Sequence, residues 1–95
     1  MKKFILSGAC MFDRVELNVQ PPQIYDNLLE AREAMLGSIM LDLEEMDYCV
    51  EKKNDGAIMF NKILGNCNLG EATTRSAWID MEDFSAAYEI KEVEI

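Results

Sequence analysis

The chain has 95 residues, enough for one small domain spanning residues 1–95. Its 18 acidic residues against 9 basic give a formal net charge of -9, with no histidine, which excludes a protein that grips nucleic-acid phosphates over a broad face. Hydrophobic residues at 49% and charged residues at 28% exclude a disordered chain, and no apolar run approaches the ~20 residues of a membrane-spanning helix.

The first residues, Lys2-Lys3 followed by Phe4-Ile5-Leu6, imitate a secretory leader. The apolar stretch is far shorter than the ~7–15 residues a leader needs, so the segment reads as an opening strand and the protein as cytoplasmic. From Lys3 to Val19 apolar and polar residues alternate: Phe4 and Leu6 early, then Val15, Leu17 and Val19 between Arg14, Glu16 and Asn18. This is either a tight hairpin or one long strand bulged at Gly8. Pro21-Pro22 should end it, because proline donates nothing to a ladder.

A helix is predicted from Asp26 to Met46. Asn27 with Glu30 three residues on fits an N-terminal cap, and Asp26 is the alternative cap. At 100° per residue, Leu28, Met35, Leu36, Ile39, Leu43 and Met46 form an apolar stripe, widened by Leu29 and Met40, while Glu30, Glu33, Gly37, Glu44 and Glu45 lie opposite. Arg32 falls inside the stripe, so its stem should pack at the core's edge with its head in water. Residues 48–63 read as a hairpin turning at Asn54-Asp55-Gly56, residues that tolerate positive φ. Residues 64–76 carry two glycines, two asparagines and no period, and read as a long contact loop. Ala77-Trp78-Ile79 is a short apolar run, with Trp78 expected in the core. In the last segment Tyr88 and Ile90 share one parity and Val93 and Ile95 the other, which implies a bulge near Lys91-Glu92 or a frayed end.

No catalytic set emerges. Without histidine, the serines and threonines lack an activating base. Cys10, Cys49 and Cys67 are too few and too scattered for a disulfide framework or a zinc site, and Cys10 and Cys49 read as buried strand residues. Gly65-Asn66-Cys67-Asn68-Leu69-Gly70 has the glycine spacing of a phosphate loop, but Glu71-Ala72 stands where lysine and a hydroxyl are required. The carboxylate groups 42–47 and 80–83 lack the register of a calcium loop. The reading is therefore a non-enzyme with no metal and no cofactor.

What remains is charge and the loop. Glu30, Glu33, Glu44 and Glu45 on the helix, with Asp80, Glu82 and Asp83 before the last strand, form an acidic surface suited to a basic partner. Asn66, Asn68 and Arg75 are the loop's candidate contacts. The expected fold is α+β: a three- to five-stranded, mostly antiparallel sheet with one long amphipathic helix on one face. In it, Leu28, Met35, Ile39, Leu43 and Met46 should meet Val15, Leu17, Val50, Ile58 or Phe60, and Tyr88 or Ile90. A single helix leaves the other face solvated or paired, so a homodimer stays open.

This layout resembles the small acidic β-α-β-β proteins of phages, plasmids and integrated elements, anti-CRISPR proteins among them. The resemblance rests on the Lys-Lys-Phe-Ile-Leu opening, the stretch ending Val19-Gln20, the helix with Glu30-Ala31-Arg32-Glu33-Ala34, the Asn-Asp-Gly hairpin and the closing strand. It implies an inhibitor that blocks the basic nucleic-acid-binding surface of a host defence protein such as a CRISPR effector, with no direct contact to nucleic acid or membrane. The alternative is a small accessory, immunity or antitoxin-like domain acting through loop 64–76.

Overall fold

Short β-forming runs separated by turn residues dominate this chain, and in the computed structural model they pair into one sheet. The structure describes every residue except Arg14, Glu45, Met46, residues 64–67, Glu82 and Ile95. In chain order the elements are β1 (Lys2–Phe12), β2 (Glu16–Tyr25), α1 (Leu28–Asp42), β3 (Tyr48–Lys52), β4 (Ile58–Lys62), β5 (Asn68–Ala72), β6 (Ser76–Asp80) and β7 (Phe84–Glu94). The sheet order is β2-β1-β7-β6-β5-β4-β3, and every pairing is antiparallel.

This corrects the expected three- to five-stranded sheet with a long helix: the described residues form a seven-stranded sheet, and the helix stops at Asp42. Two segments account for the extra strands. Pro21-Pro22 does not end β2, because β2 is an edge strand whose prolines fall where the register jumps from Leu6↔Gln23 to Gly8↔Gln20. Proline is tolerated at such edges and bulges. The supposed loop 64–76 contains β5, which pairs with β4 on one side and β6 on the other. Gly70 permits that approach: an added Cβ would lie 2.1 Å from the Trp78 carbonyl oxygen.

The opening segment is a hairpin, not one long strand, and where its register shifts between Leu6 and Gly8 the extra residue lies on β2, at Pro21-Pro22. The hairpin turns at Asp13, where φ is 52°, and the Val15 N–H donates to the Phe12 carbonyl at 3.1 Å. β7 needs no bulge. It pairs with β1 in unbroken register to Lys2↔Glu94, and Val93 simply faces the other side of the sheet. The 48–63 hairpin forms as expected, with Gly56 at φ 87° and the Asp55 carboxylate accepting from the Ala57 N–H at 3.0 Å.

The helix starts where its cap predicts. Asn27 Oδ1 accepts from the Glu30 N–H at 2.8 Å. α1 lies over β1, β2, β6 and β7, and its buried Ala31, Met35, Ile39 and Leu43 meet Phe4, Leu6, Phe60, Ile79, Tyr88 and Ile90. Val15, Leu17 and Val50 do not join them; all three are exposed. The strand alternation was read correctly, but on β2 the Val15-Leu17-Val19 parity belongs to the face away from the helix. Arg32 also departs from expectation. Its Nη2 donates to the Gly56 carbonyl at 3.4 Å, while its Nε is buried without a partner.

The molecule measures 46 × 35 × 17 Å. A thickness of 17 Å holds one sheet and one helix layer, so the second sheet face stays uncovered.

Candidate functional site

The strand register sorts the charged residues by the two ends of the sheet. Phe12, Phe84, Asp80 and Tyr48 mark one end; Phe4, Glu92, Arg75 and the turn at Gly56 mark the other. At the first end the Asp13 N–H donates to the Asp83 carbonyl at 2.8 Å, and the rings of Phe12 and Phe84 sit 5.0 Å apart. The β1–β2 and β6–β7 turns are thereby joined. α1 finishes at the same end, since the Tyr88 hydroxyl donates to Asp42 Oδ2 at 2.6 Å, and Asp42 and Glu16 both act on Cys10.

Asp13, Glu16, Asp42, Glu44, Asp47, Asp80 and Asp83 therefore share one end of the molecule. None of them joins the four ion pairs found among the described residues. Those pairs, Met1–Glu94, Lys3–Asp26, Lys53–Glu71 and Arg75–Glu92, all neutralise the opposite end. Lys62, paired with Tyr48, is a cation at this same end. The helix reinforces this polarity: its last turn holds no basic residue, so its carbonyl ends add partial negative charge there.

The expected site residues divide accordingly. Glu44, Asp80 and Asp83 come together at the acidic end. Glu30 and Glu33 are exposed on the solvent side of α1, nearer its start. Asn68 and Arg75 do not act as one loop, for they stand at opposite ends of the β5–β6 hairpin. Asn68 Nδ2 donates to Asn61 Oδ1 at 3.2 Å, and Asn61 Nδ2 to Glu51 Oε2 at 3.3 Å, a polar ladder across β5, β4 and β3. Arg75 pairs with Glu92 at 3.8 Å and sits 6.0 Å from the centre of the Phe4 ring. Glu45, Glu82, Asn66 and Cys67 lie outside the described residues. Asp13, Glu16, Asp42 and Asp47 were not among the expected contacts, although Asp42 and Asp47 belong to the 42–47 carboxylate group, because nothing in a linear reading aligns the two hairpin turns with the helix end.

Cys10 is half-buried, whereas Cys49 is exposed on the edge strand β3, contrary to expectation. Burial, and then the charges of Asp42 and Glu16, push the Cys10 thiol up, which suppresses the thiolate. The described residues bring together no group of three or more potential metal ligands. No helix among them is long and apolar enough to cross a membrane.

Burial also raises the Asp42 carboxyl above its ordinary 3.8, against the pull of the Tyr88 hydrogen bond. A carboxyl whose folded pKa exceeds its unfolded value stabilises the fold when protonated. That contribution is present below the ordinary value and is lost as pH rises through the folded one. Asp42→Asn is expected to flatten this part of the pH–stability profile, as measured by urea unfolding from acidic to neutral pH. An unchanged slope would show that Asp42 is ionised alike in both states.

The uncovered sheet face is the other exposed feature. Ile5, Ala9 and Met11 of β1, Val19, Leu17 and Ile24 of β2 and Trp78 of β6 all point to it. Trp78 is 44% exposed rather than part of the core. The same face also carries Lys3, Ser7, Glu89 and Lys91, so charge is interleaved with its apolar side chains.

Comparison with protein families, with curated proteins and with solved structures finds no match to this chain.

Proposed function

We propose that this chain is a non-enzymatic, acidic protein-binding inhibitor that covers the basic nucleic-acid-binding surface of a host defence protein, in the manner of an anti-CRISPR protein. It would be the product of a phage or other mobile element, acting in the bacterial cytoplasm. One observation carries this reading: seven carboxylates at one end of the sheet stand outside every ion pair among the described residues, while the ion pairs gather at the other end. Strand ends recur about every 4.8 Å along that edge, and the neighbouring ends of β2, β1, β7 and β6 carry Glu16, Asp13, Asp83 and Asp80, a spacing comparable to phosphates along one nucleic-acid strand. A basic channel that holds a duplex meets a similar line of negative charge here, and the helix end adds to it.

The test is competition with DNA for a guide-RNA-loaded Cas nuclease, measured across a salt series. Glu44→Lys, Asp80→Lys and Asp83→Lys combined is expected to weaken binding by about tenfold or more, mainly through slower association. Glu30→Lys with Glu33→Lys should do less. Binding that ignores both salt and the triple reversal would discard the mimic. The alternative, an accessory or antitoxin-like domain, predicts salt-resistant binding. Residues 68–72 of its contact loop, however, form β5.

A further inference from the structure

An open sheet has two edges, and here they differ. β2 bears Pro21-Pro22 where its register shifts, which blunts that edge. β3 pairs with β4 from Tyr48 to Lys52 without irregularity, and its outer side meets no described strand. The flanking bonds fix which backbone groups of β3 face outward. The Lys53 N–H donates to the Ala57 carbonyl at 2.8 Å, and the Asp47 carbonyl accepts from the Ile63 N–H at 3.2 Å. Bonded pairs alternate along an antiparallel ladder, so residues 47, 49, 51 and 53 bond toward β4. The N–H and C=O groups of Tyr48, Val50 and Lys52 point away from it. No hydrogen bond among the described residues takes up these outward groups. α1 packs over β1, β2, β6 and β7 rather than over this edge, and Val50 is 46% exposed there.

We propose that β3 is the seam of a homodimer, pairing antiparallel with β3 of a second copy about a two-fold axis at Val50. The strand is its own complement. Residues 47–53 read Asp-Tyr-Cys-Val-Glu-Lys-Lys, acidic at the first end and basic at the last, with valine at the centre. An antiparallel copy centred there sets Val50 against the partner's Val50 and Tyr48 against the partner's Lys52. It also sets Cys49 against the partner's Glu51 and Asp47 against the partner's Lys53. The outward backbone groups of Tyr48, Val50 and Lys52 then bond to one another across the seam. The two valines, on the helix side with Phe60, cover each other, and the lysine stems lie along the tyrosine rings. Lys53 already reaches Glu71 at 3.2 Å and gains a second carboxylate, while Asp47 gains a cation. Charge selects this occupant. Glu44 and Asp47 stand at the acidic end and Lys52 and Lys53 at the other, so a parallel copy would set like charge on like. A foreign strand would need the same sequence of charges in reverse to match both ends, whereas two-fold symmetry supplies it. Such a dimer turns its two acidic ends in opposite directions.

Disulfide trapping tests the register. Cys49 and Glu51 are both exposed on the face away from the helix. In the seam, Cys49 and the partner's Glu51 form a non-bonded pair about 4.5 Å apart at Cα, within reach of a disulfide. Glu51→Cys in a Cys67→Ser background is expected to give a covalent dimer under mild oxidation, with peptide mapping placing the link between Cys49 and the introduced thiol. Lys52→Cys is as exposed but points to the opposite face, and should cross-link about tenfold less. Val50→Pro removes only an outward N–H, which an edge strand tolerates. It should weaken self-association in sedimentation by about tenfold or more, with the thermal midpoint of the dilute protein close to the parent's. Equal cross-linking of the two introduced thiols would mean random collision and overturn the seam. A parent that sediments as a monomer at every concentration, with no trapped dimer, would overturn it too. A dimer that Val50→Pro leaves intact would place the contact elsewhere. None of these readouts involves a target, so the inhibitor reading stands or falls separately.

Discussion

Gly70→Ala is expected to destabilise the protein by at least about 3 kcal/mol, the upper range for forcing extra volume into a packed site. The cause is space rather than backbone conformation. A Cβ at Gly70 would lie 2.1 Å from the Trp78 carbonyl oxygen and 3.1 Å from the Ile79 Cα, both backbone atoms of β6. No rotamer relieves such a contact, so β5 must draw away from β6. β5 is the only link in the described sheet between β6 and the β4–β3 hairpin. If it withdraws, Phe60 and Leu69 lose their cover together. Gly37→Ala provides the contrast. Gly37 sits mid-helix, and an added Cβ there has no atom within 4 Å. That substitution should stabilise by about 0.5–1 kcal/mol through helix propensity and a less free unfolded chain. Urea unfolding of both variants decides the matter: a Gly70→Ala protein within about 0.5 kcal/mol of the parent would mean the strands are not held this closely.

The same glycine explains why much of the sheet was hidden in the sequence. Asn27 and Asn54-Asp55-Gly56 were legible because a cap and a positive-φ turn are decided by a few adjacent atoms. The stripe of Met35, Ile39 and Leu43 was legible because one helix repeats its own geometry. β5 was not, for Asn68-Leu69-Gly70-Glu71-Ala72 has weak strand propensity and is held by partners on both sides. Alternation around β2 showed that two faces exist but not which one the helix covers, so Val15 and Leu17 were assigned inward. The acidic end followed the same logic. Asp80 and Asp83 were visible as a cluster, yet their union with Asp13 and Glu44 depends on the closure of β1 onto β7, the first strand onto the last. Pairings that distant leave no local mark.

That closure is also where the second large effect is expected, at Gly8. Gly8 pairs with Tyr88 across β1 and β7, and the Tyr88 ring lies over it: an added Cβ would fall 2.5 Å from Cδ1 and 2.7 Å from Cε1. The ring is buried and its hydroxyl donates to Asp42 at 2.6 Å, so it ties the end of α1 to the sheet. Gly8→Ala must push this ring aside, at a cost of about 2–3 kcal/mol. If the displaced ring also loses Asp42, the two sites are coupled, and a double-mutant cycle with Tyr88→Phe measures that coupling. Tyr88→Phe alone removes a hydrogen bond to a half-buried carboxylate and should cost about 1.5 kcal/mol. With Ala at position 8 the bond is already broken, and the same change should then cost under about 0.5 kcal/mol. Simple addition of the two losses would show that the ring tilts while its hydroxyl stays on Asp42. The helix end would then be held by Leu43 and its apolar neighbours rather than by Tyr88.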